Sequence, residues 1–203
     1  MQDSAVPTDG RAARAVRTRR AIVDASLALV EEGDLRPTAP RIAERAGVSV
    51  RSVFQHFDDL PALHTAVVQR VGERLASLVV PIDVARPLDD RIDAFARHRS
   101  ALLEAVTPFR RAAAVHGPFA PEIRQAVAEG AAFLRSEVEV AFGPELARTP
   151  AGTRRELLDA LAASSSWALW DALRTEAGDS AGQARAVLVR ILRSLLVGPS
   201  ARH

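Results

Sequence analysis

Three residue types that carry much of protein chemistry are missing from the chain: cysteine, lysine and tyrosine. Without cysteine there can be no disulfide, no thiolate nucleophile and no cysteine-based zinc site, and this composition fits a reducing compartment. No apolar run approaches the roughly 20 residues that cross a bilayer, and no apolar segment typical of a secretory signal follows the N-terminal arginines. We therefore expect a cytoplasmic protein that does not associate with membranes.

Aromatic residues are also scarce, at 4% of the 203 residues, although hydrophobic residues make up 48%. The core must therefore consist mainly of alanine, valine and leucine. The length is compatible with one large domain or with a small domain followed by a larger one.

Basic charge is unevenly distributed along the chain. All 27 basic residues are arginine and the net charge is only +2, yet the segment Arg11–Arg20 contains five arginines and no acidic residue. A local basic segment of this kind suits a phosphate backbone. The alternative interpretation is a solvated tail, and we predict that residues 1–14 form a disordered basic arm.

Helical periodicity runs through the rest of the chain, and no stretch shows the alternation of a strand. Apolar positions predict a first helix from about Arg17 to Gly33, and Thr38, Ser49 and Asp58 or Asp59 are placed to cap the next three helices. Prolines and glycines then separate five more helices, at about 88–106, 108–116, 120–142, 153–176 and 180–197. The fold class is therefore all-α with about nine helices. The expected division is an N-terminal part at 15–60, a connecting helix at 61–82 and a C-terminal part at 83–203.

The segment RIAERAGVSVRSVFQHF (41–57) has the pattern of a helix-turn-helix. This motif needs a tight turn, here at Gly47, and apolar anchors on the inner face of its second helix, here Val53 and Phe57. Polar side chains on the outer face can then reach DNA, since arginine pairs with guanine and glutamine with adenine. Two alternatives stay open: Gln55 contacts a base or a phosphate, and His56 contacts a phosphate or is an idle surface residue. The expected DNA contacts are Arg17, Thr38, Ser49, Val50, Arg51, Ser52, Phe54, Gln55 and His56.

The chain resembles the TetR family of transcriptional regulators. The resemblance rests on AIVDASLALVEEG, TAPRIAERAGVSVRSVFQHF and DDLPALHTAVV, and on SWALWDALRTEAG and AGQARAVLVRILRSLL near the C-terminus. It implies a homodimer that binds a palindromic duplex operator, most often as a repressor released by a small-molecule effector. On this resemblance, residues 15–60 are the DNA-binding domain and residues 83–203 are the effector-binding and dimerisation domain. In such proteins a tyrosine usually stands at Phe54 and a lysine often stands at Leu60, so two phosphate contacts are missing here.

The resemblance also implies an effector pocket among the central helices, roughly 88–176. The side chains available there favour a small, largely apolar ligand, although each candidate could equally be an ordinary core residue. The candidates are Phe95, His98, Phe109, His116, Phe133 and Trp170. Dimerisation is expected through apolar stripes on the last two helices, which comprise Leu157, Leu161, Ala168, Val187, Leu188, Ile191 and Leu195.

Enzymatic patterns are missing from the sequence. The serines at Ser164–Ser166 lack a G-x-S-x-G context, the histidines show no metal-ligand spacing, and no glycine-rich phosphate loop is present. We therefore expect neither an enzyme nor a metal or other cofactor. A helical interaction or carrier module without DNA binding is the remaining alternative function.

Overall fold

Residues 8–117 and 120–197 are described by the computed structural model, and within them the chain forms ten α-helices and no strand. The all-α prediction is therefore confirmed. The helices are α1 (Thr8–Glu31), α2 (Ala39–Ala46), α3 (Val50–His56), α4 (Leu60–Ala76), α5 (Leu88–His116), α6 (Pro121–Ala141), α7 (Gly143–Arg148), α8 (Ala151–Ser164), α9 (Trp167–Thr175) and α10 (Ala181–Val197).

The chain divides into two compact units. The first unit comprises Met1–Arg74 and Pro108–Ala126, and the second comprises Leu75–Thr107 and Val127–His203. This division differs from the predicted one in two respects. The boundary after Arg74 falls inside the connecting helix expected at 61–82, and residues 108–126 group with the N-terminal helices. The reason for the second difference is packing, because Phe109 lies against the core of the first unit.

The first unit is built around the inner face of α1. Residues buried in its core come from each of the first four helices: Ile22, Val23, Ala25, Leu27, Leu29, Ile42, Ala43, Val53, Phe57 and Leu63. Left-handed glycines end the first two helices, with φ of 96° at Gly33 and 67° at Gly47. A side chain at either position would be strained, so these two glycines fix where the chain turns.

Helix α1 begins at Thr8, well before the predicted start at Arg17. Residues 8–14, expected to be disordered, are helical, while residues 1–7 lie outside the described part of the chain. The difference has a local cause. Arginine and alanine have high helix propensity, so the helix continues beyond its last core contact even though nothing packs on the extension.

The core of the second unit joins α5, α6, α8 and α10. Its largest buried side chains include Ile92, Phe95, Phe142, Leu161, Leu188 and Leu192. Two helix boundaries differ from prediction. Helix α5 continues through Pro108, and the helix expected at 153–176 breaks at Ser165, because the Ser166 hydroxyl accepts a hydrogen bond from the Leu169 amide and starts α9. In the described ranges, no helix has the length and apolar character needed to cross a membrane.

Candidate nucleic-acid interface

Helices α2 and α3 form a tight helix-turn-helix. Gly47 takes the left-handed conformation (φ 67°, ψ 33°), and the Val48 amide donates to the Ala43 carbonyl at 3.0 Å. Val53 and Phe57 are 1% and 2% exposed, so they anchor α3 to the core. These anchors hold the opposite face of α3 outward in one orientation.

The outward face of α3 carries the side chains predicted to meet DNA. Arg51 and Gln55 are exposed, Ser52 and His56 are half-buried, and Phe54 is 50% exposed. Val50, at the start of α3, is also exposed. The side chains of Val50, Arg51, Phe54 and Gln55 are therefore open to contact by another molecule.

Two capping residues flank these helices with different outcomes. The Ser49 hydroxyl accepts a hydrogen bond from the Ser52 amide at 3.1 Å, as predicted for a cap, and its own proton stays available to donate to a phosphate. Thr38 occupies the cap position of α2, but its hydroxyl makes no capping hydrogen bond. The exposed Thr38 hydroxyl can therefore form a hydrogen bond with another molecule.

Arg19 couples α1 to the recognition helix, a contact that the sequence analysis missed. Its guanidinium donates to the His56 carbonyl at 2.6 Å and stacks over the Phe57 ring at 4.1 Å from the centroid. Arg19 is far from His56 and Phe57 in the sequence, so no local sequence pattern predicts this contact. The consequence is that the arginine-rich start of α1 is fixed relative to the end of α3.

Other arginines of the first unit are occupied by acidic partners. Arg45 binds Glu32, and hydrogen bonding to that carboxylate raises the arginine's pKa. Arg41 binds Asp34, and Arg70 binds Asp24. By contrast, no ion pair is recorded for Arg51 or Arg17 among the side chains that the structure describes. The charges free to meet a phosphate or a base therefore lie on the start of α1 and on α3.

Two histidines, His64 and His116, lie close together in the first unit. His116 donates to the Leu35 carbonyl at 3.0 Å, His64 lies 3.3 Å from a Glu122 carboxylate oxygen, and the two imidazole rings are 5.2 Å apart. Burial lowers the pKa of His116; the charges of His64 and Arg36 act in the same direction, and the hydrogen bond to Leu35 opposes them. Predicted as an effector contact, His116 instead holds the loop between α1 and α2.

Comparison with known proteins agrees with this geometry. Residues 22–63, which span the core of α1, all of α2 and α3 and the start of α4, match the family model of bacterial regulatory proteins of the tetR family. These residues form a TetR-family DNA-binding domain. The family predicted from the sequence is thereby confirmed. Among the curated proteins compared, none matches this chain.

Three solved structures share the fold over 91% of this chain. A putative TetR-family transcriptional regulator from Mesorhizobium loti superposes with a TM-score of 0.67 at 20% identity, covering 91% of this chain and 97% of that one. A transcriptional regulator from Rhodococcus gives 0.62 at 16%, with 91% and 96% covered. The multidrug binding protein EbrR, complexed with imidazole, gives 0.57 at 23%, with 91% and 98% covered.

The six expected effector contacts of this TetR-like chain lie in different surroundings. Phe109 and His116 belong to the first unit. In the second unit, Phe95 is completely buried against Phe142, and Trp170 is 2% exposed. Phe133, by contrast, is 43% exposed.

His98 is the candidate that borders a described cavity. The cavity measures about 470 Å³, lies between residues 78–86 and α5, and has Leu78, Val80, Ala94 and Ala101 among its lining residues. On its other side, His98 lies 3.0 Å from a Glu137 carboxylate oxygen. It is therefore the candidate best placed to meet a small molecule.

The expected dimerisation stripe is corrected at two positions. Leu161 and Leu188 are 0% and 2% exposed inside the second unit, so they stabilise the core and present no surface to a partner. Leu157 and Leu195 are half-buried and also pack against that core. Ala168 is exposed, and Val187 and Ile191 are half-buried outside the described core clusters.

Residues 8–117 and 120–197 contain no group of three or more histidine, aspartate or glutamate side chains that could hold a metal ion. The polar groups of the second unit form ion pairs and hydrogen bonds instead. Trp170 donates to Glu104 at 2.8 Å, and Arg174 donates to the same oxygen.

Proposed function

We propose that the protein is a sequence-specific DNA-binding transcriptional regulator that acts as a repressor and is released by a small-molecule effector. One observation carries the proposal: α3 is locked to the core by Val53 and Phe57 while Arg51, Phe54 and Gln55 face outward. A helix held in this way can enter a major groove without loss of its orientation. The match of residues 22–63 to tetR-family regulators supports the same function.

A homodimer on a palindromic operator is part of this proposal. Two recognition helices must be about 34–36 Å apart to enter successive major grooves, and a two-fold dimer supplies two equal copies. We propose an interface through the last two helices. Since Leu161 and Leu188 are buried in the protomer, the residues that remain for it are Ala168, Val187 and Ile191, with Leu157 and Leu195 at its edge.

The proposed effector is small and largely apolar. The neighbour EbrR is described as a multidrug binding protein and was crystallised with imidazole, so a chain of this fold can hold a small ring compound. A ligand releases DNA only if it binds the released conformation better than the DNA-bound one. A complete reversal needs about 5.5 kcal/mol of such preference.

Site selection from a random duplex library tests DNA binding directly. We expect enrichment of a palindrome whose half-sites are about one helical turn apart. Enrichment of no sequence, together with no retention on heparin and no shift of labelled duplex in low salt, would exclude the regulator and leave a helical interaction or carrier module.

Titration of small apolar compounds against the protein–operator complex tests the switch. Binding is followed in parallel by the fluorescence of Trp167 and Trp170. A compound that quenches this fluorescence and leaves operator affinity unchanged would contradict the coupling, even though a ligand site would then be established.

A further inference from the structure

The first part of α1 is a helix that buries almost none of its surface. Within residues 10–20, Thr18 is half-buried and every other residue is exposed, and the core contacts of α1 begin at Ile22. Such an extension gains no burial energy, so packing does not explain it. Its composition offers another explanation, because it contains Arg11, Arg14 and Arg17 and no acidic residue between Gly10 and Arg20.

These three arginines differ from their neighbours in having no recorded partner. Arg19 is held by the His56 carbonyl, and Arg20 lies 3.7 Å from Asp24. No hydrogen bond or ion pair is recorded for the Arg11, Arg14 and Arg17 side chains among residues whose side chains are described. Three positive charges within about 9 Å of helix axis repel one another, so an anionic partner would stabilise them.

The residues between the arginines allow a close approach. Ala12, Ala13 and Ala15 are small, so a rigid polyanion can approach the helix backbone while the arginines reach around it. Val16, at 67% exposure, is the one large apolar side chain that this exposed segment presents. A single valine is too little apolar surface to dock a protein partner or to insert into a lipid layer.

The position of the extension relates it to the recognition helix. The Arg19–His56 contact ties α1 to the end of α3 within the first unit. Arg17 lies two residues before Arg19, which is about 200° around the helix axis, so its side chain points away from the Arg19 contact. The arginine row and α3 nevertheless belong to the same unit and are joined through the continuous helix α1.

We propose that Arg11, Arg14 and Arg17 form a helical phosphate clamp that binds the DNA backbone outside the base pairs read by α3. The clamp rests on the proposed DNA-binding function and adds a second contact region to it. Its contacts are electrostatic and independent of base sequence, since phosphates present the same charge at every step. It lengthens the bound segment and raises affinity for specific and unrelated DNA equally.

Salt dependence measures the clamp directly. The variant Arg11→Ala/Arg14→Ala/Arg17→Ala keeps the helix, since alanine has the highest helix propensity. The control Arg97→Ala/Arg148→Ala/Arg155→Ala removes the same charge from exposed positions of the second unit. Operator affinity is measured from 50 to 300 mM salt for both variants and the unmodified protein. Each lost phosphate contact should reduce the slope of log affinity against log salt by about 0.9.

We expect the slope to fall by about 2–3 for each subunit on the DNA in the clamp variant and to stay unchanged in the control. The ratio of operator to unrelated-DNA affinity should be preserved, and the hydroxyl-radical footprint should shorten at its outer ends. An unchanged salt slope in the clamp variant would overturn the proposal. A large fall in the ratio of operator to unrelated-DNA affinity would also overturn it, because these arginines would then contact bases.

A lysine variant separates charge from local structure. Arg11→Lys/Arg14→Lys/Arg17→Lys keeps three positive charges, and lysine binds phosphate as a point charge. It should restore the salt slope and the footprint, and failure to restore them would contradict an electrostatic clamp. If the unmodified protein binds no duplex at all, the proposed function itself fails. If the unmodified protein and the clamp variant bind duplex with the same salt slope, the clamp proposal alone is contradicted.

Discussion

The two units of the molecule handle charge in opposite ways. In the described part of the first unit, no charged side chain is buried. Arg45, Arg41 and Arg70 pair on its surface with Glu32, Asp34 and Asp24. In the second unit Arg91 and Arg99 are 4% and 0% exposed. Each guanidinium donates to a carboxylate and to backbone carbonyls, while the buried Arg99 Nε has no hydrogen-bond partner among the described residues.

Arg99 shows how the second unit uses a buried charge. It donates to the Leu134 carbonyl at 2.8 Å and the Ser165 carbonyl at 3.0 Å, and lies 3.3 Å from Glu137. It also stacks over Phe95 at 4.6 Å. Burial lowers the pKa of Arg99 to about 10, and the nearby Glu137 charge opposes that shift. One side chain thus ties α5 to α6 and to the break between α8 and α9.

This difference in charge burial between the two units suits different functions. An apolar core with polar residues outside presents a fixed face, which suits the recognition of a rigid duplex. A core containing ion pairs is sensitive to any group that competes for those pairs. Substitutions in either unit test this difference.

The largest effect is expected from Arg99→Ala. The change leaves Glu137 without its buried cation and two carbonyls without their donor, so we expect a loss of about 3–5 kcal/mol in the free energy of unfolding. Urea unfolding followed by the fluorescence of Trp167 and Trp170 measures it. Arg155→Ala is the matched control, because Arg155 is 89% exposed and 3.8 Å from Asp159, and should cost less than about 1 kcal/mol. Equal losses in the two variants would show that the buried network contributes nothing special.

Helix α10 supplies the second prediction. Leu188→Glu buries a charge in the core of the second unit and should unfold it. Ala168→Glu/Ile191→Glu changes positions outside the described core clusters, so it should leave the fold intact and produce monomers. Sedimentation with circular dichroism distinguishes the two outcomes. If the double variant stays dimeric and helical, the interface lies elsewhere on the chain.

Sequence and structure agree best where the determinants are local. Gly47, Ser49 and Asp59 were assigned to their turn and caps from sequence, and the structure has the expected φ and hydrogen bonds there. A capping box at the start of α10 is equally local, since the Ser180 amide donates to the Gln183 side chain and the Gln183 amide donates to the Ser180 hydroxyl. Each of these contacts spans a few residues, so nearest-neighbour chemistry determines it.

Agreement is weaker where a contact spans a large part of the chain. Arg99 reads as an ordinary solvated charge, and nothing near it in sequence reveals Ser165 or Leu134 as partners. His116 reads equally well as a pocket residue or as a surface one, and its actual partner is the carbonyl of Leu35. Tertiary packing determines the partners of such residues, and no local sequence pattern predicts that packing.

A smaller effect is expected for sequence reading by α3. If Arg51 binds a guanine edge, Arg51→Ala should cost about 1–3 kcal/mol in operator affinity and relax the preference at one position of each half-site. Competition binding with operators substituted one base pair at a time measures both quantities. A uniform loss for all sequences would instead assign Arg51 to a phosphate. The fold of the second unit should be unaffected, which separates this change from Arg99→Ala.

The smallest effect concerns pH and the first unit. His116 has a pKa below its usual 6.5, because it is buried and near His64 and Arg36, while Glu122 faces His64. The unfolded chain therefore binds a proton that the folded chain resists, so the stability of this unit is complete above pH 6.5 and falls as the pH drops below it.

Both tryptophans lie in the second unit, so hydrogen exchange of the amides in α1 to α4 is the suitable measurement. After correction for intrinsic rates, opening should increase as the pH falls from 7 to 5.5. His116→Gln keeps a donor for the Leu35 carbonyl but does not titrate, so it should remove this dependence. His56→Gln removes an imidazole of the same unit outside the pair and should retain it. An equal pH dependence in all three proteins would show that the pair of His64 and His116 does not cause it.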